Sequence, residues 1–217
     1  MLGGNSHHQT RKDSVKITII GGSKGTGAQL ASLALDAGHE VTVLSRSGGA
    51  PAGALAITGN AADPAVVSAA VAGADAVVVT VGAAKGVPHQ RAAVTRTVVG
   101  TMREAGVRRL VVQSSLGAGD SGSLLPGPLG LITRILLAKP LADHNEQEAA
   151  VESSGLDWTI VRPTGLTDRQ PAGSWRALET GSGEKLKGSV PRRDLAACMF
   201  EILADDSAIG KAFGVSS

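Results

Sequence analysis

Short apolar runs alternate with longer amphipathic segments along almost the whole chain. The apolar runs are rich in Val and Ile and are bounded by Gly, Asp or Arg, which is typical of buried strands. They predict strands at residues 15–20, 40–45, 54–58, 75–82, 109–115 and 157–163. The amphipathic segments predict helices at residues 25–37, 63–72, 89–105, 141–153 and 192–204.

The predicted strands are apolar throughout rather than alternately apolar and polar. Strands of that kind are buried on both faces, and strands that alternate with helices form parallel sheets. The pattern therefore predicts an α/β fold, a doubly wound parallel sheet in three layers (α/β/α). We expect a single domain over residues 15–217, preceded by a disordered polar tail over residues 1–14 that lacks the apolar core of a signal sequence.

Composition narrows the classes of function. Hydrophobic residues make up 42% of the 217 residues, which is enough for a full core. Aromatic residues make up only 2%, too few for stacking on nucleic-acid bases, and the formal charge of +2 does not favour DNA or an anionic membrane. No apolar stretch reaches the roughly 18 residues that a membrane span needs. We expect a cytoplasmic monomer or small homo-oligomer with a small-molecule substrate and no nucleic-acid or membrane partner.

The single cysteine, Cys198, lies in an apolar helical segment and is expected to be a buried core thiol. One cysteine excludes an internal disulfide and a Cys-based zinc cluster. The adjacent His7 and His8 belong to the polar tail, where solvent exposure explains them better than a metal ion does. The sequence therefore predicts no metal site.

Four glycines crowd the point where the first strand passes into the first helix, in TIIGGSKGTGAQL at residues 18–30. Glycine permits a tight turn and lets a diphosphate approach the backbone, and the N-terminus of the helix then offers N–H groups to the phosphate charge. The spacing Gly21-x-x-x-Gly25-x-Gly27, in this strand–turn–helix context, predicts a dinucleotide site. The alternative is a turn with a purely structural role.

The second predicted strand ends in VLSRS, which places Arg46 between Ser45 and Ser47 and about 20 residues beyond the glycines. In dinucleotide sites an acidic residue at this place accepts the ribose 2′-hydroxyl, whereas an arginine accommodates a 2′-phosphate. Arginine also suits bidentate phosphate contact. The sequence therefore favours NADPH (NADP+) over NADH as the cofactor, and the alternative is that Arg46 is a solvated surface residue.

These residues resemble the atypical NAD(P)H-binding branch of the short-chain dehydrogenase/reductase superfamily, which includes NmrA-like proteins and the flavin reductase/biliverdin-IXβ reductase group. The resemblance runs over nearly the whole chain after the tail. It is carried by GGSKGTG, HEVTVLSRS, GADAVVVTVG, MREAGVRRLVVQSS, ADHNEQEAAVESSGLDWTIVRPTGL and VPRRDLAACMFEIL. It implies a Rossmann-like domain that binds NADPH, and it does not single out a substrate.

The chain departs from that branch at several positions. Lys24 stands where the middle glycine of a Gly-x-x-Gly-x-x-Gly turn is usual. The conventional branch uses a Tyr-x-x-x-Lys pair, and this chain has no tyrosine, which excludes that mechanism. In the flavin reductase-like proteins Asn60 would correspond to an acidic residue near the adenine, and a histidine falls where Gly165 stands here. The substrate pocket is therefore expected to differ from theirs.

The resemblance implies a set of site residues, and ligands do bind at the carboxyl ends of strands in such sheets. The expected cofactor-binding residues are Gly21, Ser23, Lys24, Gly25, Thr26, Gly27, Ser45, Arg46, Asn60, Ala61, Gly82, Ala83, Ser114, Pro163 and Thr164. Ser115 is the first catalytic candidate, as a hydrogen-bond donor to a carbonyl or to the nicotinamide carboxamide; alternatively it only caps its loop. His144 matches a histidine of the flavin reductase-like proteins and can donate or relay a proton. Alternatively, Asp143 and His144 form an exposed first helical turn.

Three functions remain open. The first is a reductase that passes hydride from NADPH to a flavin, a quinone or another conjugated acceptor, with the protein mainly positioning the acceptor. The second is a non-catalytic sensor resembling NmrA, and the third is a dehydratase, isomerase or cyclase on the same fold. The missing tyrosine weakens a simple alcohol dehydrogenase, and the short chain after the sixth strand weakens the sensor. The reductase is therefore preferred.

Overall fold

A central eight-stranded sheet organises the computed structural model, which describes residues 14–82, 89–125 and 138–217. The strands are β1 (Lys16–Ile20), β2 (Glu40–Ser45), β3 (Leu55–Thr58), β4 (Ala76–Val79), β5 (Arg109–Gln113), β6 (Asp157–Pro163), β7 (Gly165–Thr167), β8 (Arg176–Glu179), β9 (Ser189–Pro191) and β10 (Lys211–Ser216). The α-helices of the described residues are α1 (Gly25–Asp36), α2 (Pro64–Val71), α3 (Gln90–Ala105), α4 (Ala138–Glu152) and α5 (Arg192–Leu203).

The strand order of the sheet is β3-β2-β1-β4-β5-β6-β10-β8. Every neighbouring pair is parallel except β10 and β8, which run antiparallel at one edge. β7 and β9 form a separate parallel pair outside this sheet. The order reverses between β1 and β4, and such a switch point is where doubly wound sheets bind their ligands.

Two apolar clusters cover the two faces of the sheet. On one face α1 and α5 pack together through residues such as Leu30 and Leu195. On the other face α2, α3 and α4 cover residues such as Val77 and Ile160. The predicted three-layer, doubly wound Rossmann-like fold is therefore confirmed.

Most of the predicted elements lie where the sequence placed them. β2 and β6 match the predicted segments residue for residue, and α2 begins at Pro64 with the Asp63 side chain accepting the Ala65 N–H at 2.9 Å. Cys198 is 1% exposed, and burial raises the pKa of its thiol to about 12, which confirms the expected core thiol. α4 begins at Ala138, earlier than the predicted residue 141, and β7 to β10 were not predicted at all. Most of the predicted tail, residues 1–13, lies outside the described residues.

Candidate functional site

Two adjoining cavities open at the carboxyl ends of the parallel strands. The first, which we name the turn cleft, has a volume of about 480 Å³ and is lined by the glycine turn at residues 21–26 together with residues 44–47 and 59–61. The second, which we name the serine chamber, has a volume of about 450 Å³ and is lined by Ser114, Ser115 and residues 163–166. Both cavities share Val81, Gly82, Gln113 and Leu166 in their walls, so that they form one continuous site.

The glycine turn brings bare backbone to the turn cleft. Gly21 has a φ of +94°, and a Cβ there would lie 3.1 Å from the backbone of Thr80 and Val81 at the end of β4. Gly25 has a φ of +59°, which strains any residue with a side chain. Lys24 caps α1 without a side-chain hydrogen bond, and the first turn of α1 has no acidic residue. The first residues of α1 therefore line the cleft, and the helix N-terminus has no side-chain cap there, as an anion site requires.

Gly27 has a different role, since it is buried and does not line the cleft. A Cβ there would overlap Thr80 Oγ1 and would lie 2.9 Å from both Gly21 O and Gly22 Cα. The absence of a side chain therefore lets α1 pack tightly against the turn. This contact supports the shape of the anion site from behind, whereas the sequence had placed Gly27 among the residues that touch the cofactor.

Positive charge dominates the turn cleft. Lys24, Arg46 and Arg192 line it, and none of the described lining residues is acidic. Lys24 and Arg46 are exposed, and Arg46 follows the last residue of β2, as the sequence predicted. An elongated anion therefore meets basic side chains along the cleft and backbone N–H groups at the turn.

Several polar atoms of the two cavities lack partners in the described part of the chain. The buried oxygens Gln90 Oε1, Gln113 Oε1 and Thr164 Oγ1 accept or donate no hydrogen bond there, and all three residues line a cavity wall. A buried polar atom without a partner is costly, so such atoms mark places where a ligand group completes the bonding. Together with the glycine turn, these residues fit a bound dinucleotide.

The serine chamber combines an apolar wall with a few polar groups. Leu116, Leu125 and Leu186 form much of the wall, while Arg91 and Lys187 bring positive charge to it. Ser115 Oγ donates to Leu116 O at 3.4 Å, a long hydrogen bond within its own loop. A molecule with an apolar body and one or more polar or negatively charged groups therefore fits this chamber.

His144 enters the chamber from α4 and is only 7% exposed. Its Nδ1 lies 3.3 Å from Ser114 Oγ and 3.2 Å from Gln147 Oε1. Burial, together with the nearby charge of Arg91, lowers the pKa of His144 to about 4. His144 is therefore neutral at pH 7. The alternative of an exposed first helical turn is wrong, because α4 begins at Ala138 and both Asp143 and His144 are buried.

Asp143 joins the start of α3 to α4. Its carboxylate accepts the Arg91 N–H at 3.2 Å, the Ala92 N–H at 3.0 Å and Arg91 Nη1 at 3.2 Å. Burial alone would raise the pKa of Asp143, but these hydrogen bonds and the Arg91 charge hold it below its ordinary value. The two helices are thereby fixed relative to each other beside the chamber, which fixes the backbone on which His144 stands.

The structure brings nearly all the expected residues to the two cavities. The turn cleft is lined by the predicted Gly21, Ser23, Lys24, Gly25, Thr26, Ser45, Arg46, Asn60, Ala61 and Gly82. The predicted Ser114, Ser115, His144, Pro163 and Thr164 line the serine chamber, together with Gly82. Three of these, Ser114, Pro163 and Thr164, were expected to bind the cofactor, and they lie in the second cavity rather than the first. Ala83 lies outside the described residues.

Sequence reasoning missed several residues of the site. They are Thr80, Val81, Gln90, Arg91, Gln113, Leu166, Leu186, Lys187 and Arg192. Gln113 carried a usable signal, because it is the polar residue that ends the apolar strand β5. Lys187 carried none, because β7 and β9 beside it are only three residues long. Arg192 stood in the quoted segment VPRRDLAACMFEIL and at the start of a predicted helix, but neither fact marked it as a residue of the site.

Residues 14–82, 89–125 and 138–217 hold no group of three or more His, Cys, Asp or Glu side chains that could bind a metal ion. No helix within the same ranges has the length and hydropathy to cross a membrane.

The chain matches a known protein family in sequence and resembles several solved structures in fold. The profile of a family described as NAD(P)H-binding matches residues 21–206. The structure of ChuY, named an anaerobilin reductase, from Escherichia coli O157:H7 is 28% identical with a TM-score of 0.77, and the match covers 92% of this chain and 96% of that one. A short-chain dehydrogenase/reductase of Veillonella parvula in complex with NADP is 20% identical with a TM-score of 0.80, covering 94% and 95%, and shows the shared fold.

A curated relative matches over a shorter region. The UPF0659 protein C216.03 of Schizosaccharomyces pombe is 36% identical over 114 residues. The match covers 46% of this chain and 46% of the yeast protein, so it spans about half the length of that relative.

Proposed function

Because this chain belongs to the NAD(P)H-binding family, we propose that it is an NADPH-dependent reductase whose acceptor is a flat conjugated molecule held in the serine chamber. The observation that carries this proposal is the shared wall of the two cavities. Val81, Gly82 and Gln113 line both of them, so that an acceptor in the chamber would lie beside a nucleotide in the cleft. The structural similarity to ChuY, which is named a reductase, also supports a reductase function.

Each part of the turn cleft suits one part of the nucleotide. The turn at residues 21–26 and the N-terminus of α1 would hold the diphosphate, and Arg46 would hold the 2′-phosphate. Asn60 and Ala61 would lie beside the adenine. When bound, the nicotinamide supplies the hydride. The protein then has to position the acceptor and stabilise the charge that develops on it.

Ser115 is the residue that would stabilise that charge. Its hydroxyl is held only by the long bond to Leu116 O among the described residues, so an oxygen of the acceptor can replace that partner. Charge on a conjugated acceptor spreads over its rings, and one hydrogen bond with a late proton from water is then sufficient. The chain has no tyrosine to act as the proton donor of the conventional branch.

His144 would assist as a relay rather than as a charged acid. Its lowered pKa of about 4 keeps the imidazole neutral at pH 7. A neutral imidazole would pass a proton by releasing the Nε2 proton to the acceptor while Nδ1 takes the proton of Ser114 Oγ, which water then replaces. Ser114 and Gln147 hold the ring by its Nδ1 side.

The test is a screen of NADPH oxidation against flavins, quinones and aromatic ketones, with nucleotide affinity measured in parallel from the fluorescence of bound NADPH. Turnover of at least one conjugated acceptor, reduced by the change Ser115→Ala, is the expected result. The exposed Ser153 offers a matched control, since Ser153→Ala lies outside both cavities. Tight nucleotide binding with no turnover of any acceptor would contradict the proposal and favour the sensor or a non-redox enzyme.

A further inference from the structure

Arg192 lies directly on the glycine turn, although it is 165 residues further along the chain than Gly27. It is the first residue of α5, which packs beside α1. A Cβ at Gly25 would lie 3.5 Å from both Cδ and Nε of Arg192, so the arginine stem rests against the backbone of the turn. Arg192 therefore reaches the same end of the turn cleft as the first N–H groups of α1.

The fold itself does not explain a cation at this position. The N-terminus of a helix carries partial positive charge, so an arginine in the first turn of α5 is electrostatically unfavourable. The acidic residue of that turn, Asp194, does not compensate it, because Asp194 is 2% exposed and accepts the N–H groups of Ala172 and Gly173 instead.

The ion pair that Arg192 makes with another residue of the chain is weak. Among the described residues, its guanidinium pairs only with Asp168, with 2.8 Å between Nη1 and Oδ1. The Asp168 side chain is 86% exposed, and exposed ion pairs contribute little to stability. A guanidinium has five N–H donors, so most of the hydrogen-bonding capacity of Arg192 is unused at the wall of the cleft.

We propose that Arg192 binds the diphosphate of the nucleotide together with the N-terminus of α1, and that Asp168 holds the guanidinium in place until the nucleotide replaces it. Two phosphate oxygens match the planar fork of an arginine, and the charge-assisted bonds are stronger than the exposed pair that they replace. This inference rests on membership of the NAD(P)H-binding family and does not depend on the proposed reductase activity.

The two arginines of the cleft would then contact different phosphate groups of the nucleotide. Arg46 follows β2, where the 2′-phosphate of NADPH is expected, whereas Arg192 lies on the turn that receives the diphosphate. NADPH and NADH share the diphosphate and differ in the 2′-phosphate. A change at Arg192 should therefore weaken both nucleotides equally, and a change at Arg46 should weaken NADPH alone.

The experiment measures affinity by titration calorimetry, with ADP as the diphosphate probe and 2′-AMP as the 2′-phosphate probe. Arg192→Gln is expected to weaken NADPH, NADH and ADP by a common factor of about ten while leaving 2′-AMP unchanged, since one charge-assisted phosphate contact is lost. Arg192→Lys should restore part of the affinity. Arg193→Gln is the matched control, because Arg193 is exposed, lies outside the cleft wall and contacts Gln29.

Asp168→Asn gives a second measurement that leaves Arg192 intact. Removing the competing carboxylate should raise the affinity for ADP about two- to fivefold, and thermal melting of each variant without nucleotide reports on folding. Unchanged ADP affinity in Arg192→Gln, or a loss confined to NADPH and 2′-AMP, would overturn the proposal. An unchanged affinity in Asp168→Asn would overturn the exchange with Asp168, even if Arg192→Gln could not be folded.

Discussion

The turn cleft and the serine chamber share a wall but are built in different ways. The turn cleft is formed mainly by the loops that follow β1, β2, β3 and β4, all within residues 21–82, and by backbone as much as by side chains. The chamber takes its side chains from segments as distant as Arg91, His144 and Lys187. A site made by consecutive loops leaves a motif in the sequence, whereas a site assembled from distant segments does not. The cofactor is therefore much better determined than the acceptor.

The largest expected effect concerns the chamber and the stability of the fold at acid pH. Burial lowers the pKa of His144 from 6.5 to about 4, so between these values the unfolded chain binds a proton that the folded chain does not. The stability associated with neutral His144 is therefore fully present above pH 6.5 and is lost as the pH falls towards 4. The shift corresponds to about 3 kcal/mol of unfolding free energy.

Urea unfolding at pH 7, 5.5 and 4.5 checks this value. His144→Gln should remove most of that pH-dependent loss, while His89→Gln, which changes an exposed histidine, should retain it. Equal losses in the two variants would show that His144 is not the group responsible, and the chamber would then be more solvated than its burial indicates.

The second effect is a loss of nucleotide affinity in the turn cleft. Gly27→Ala should weaken NADPH at least a hundredfold, about 2.7 kcal/mol, because the new Cβ overlaps Thr80 Oγ1 and pushes on Gly21 and Gly22. Fluorescence titration of NADPH measures the affinity. Gly100→Ala is the matched control within a helix, since its Cβ meets no described atom within 4 Å. It should keep the affinity and stabilise the protein by roughly 0.5–1 kcal/mol. Undiminished binding in Gly27→Ala would mean that the turn is only structural.

The third effect tests the chemistry of the chamber. Ser115→Ala should lower the turnover of a conjugated acceptor by roughly ten- to a hundredfold, in line with the loss of one hydrogen bond to a developing charge. The affinity for NADPH should be unchanged, because Ser115 lines the chamber and not the turn cleft. Steady-state kinetics with saturating NADPH separates the two effects. No loss of turnover would place the chemistry elsewhere.

His144→Ala provides a contrast within the same chamber. It should cost less than tenfold in turnover, because water can replace a neutral relay. A loss of a thousandfold or more would show instead that His144 is an obligatory acid, since general acid catalysis is typically worth 10²–10⁴-fold.

The fold could be predicted from the sequence where local signals agreed with the packing. β2 and β6 are inner strands with apolar residues at their centres, and both matched their predicted bounds. β10 is equally central but was missed, and Gly214 explains why. A Cβ at Gly214 would lie 2.7 Å from the side chains of Leu124 and Leu186, so this strand needs a glycine where a β-branched residue is usual.

Within the site, too, residues with a local sequence signal could be predicted and residues without one could not. The turn at residues 21–27 and the start of α1 could be predicted directly, because one local motif specifies both, and the same motif predicts the anion site. Gln113 lay inside the predicted strand 109–115 and was overlooked, because the structure ends β5 at Gln113 and so brings this side chain to the strand end. Lys187 and Arg192 are placed by the chain that forms the separate β7–β9 pair, and no short-range pattern encodes that pairing.

The last expected effect distinguishes two nucleotides within the turn cleft. Arg46 is exposed and has no acidic neighbour in the described cleft wall, so its guanidinium is available to a 2′-phosphate. NADPH should therefore bind about tenfold more tightly than NADH, equivalent to about 1.4 kcal/mol, which one charge-assisted contact can supply. Arg46→Asp should abolish or invert that preference, because a carboxylate repels the phosphate and accepts the 2′-hydroxyl of NADH.

Arg103→Asp makes the same charge change at an exposed position of α3 outside both cavities. Affinities for both nucleotides, measured at two salt concentrations, separate a direct contact from the general field of the protein, because only distant exposed charges are strongly screened. If Arg103→Asp altered the preference as much as Arg46→Asp did, the preference would come from net charge. If the unmodified protein bound NADPH and NADH equally, Arg46 would be a solvated surface residue, and the one feature of the turn cleft that selects between nucleotides would be lost.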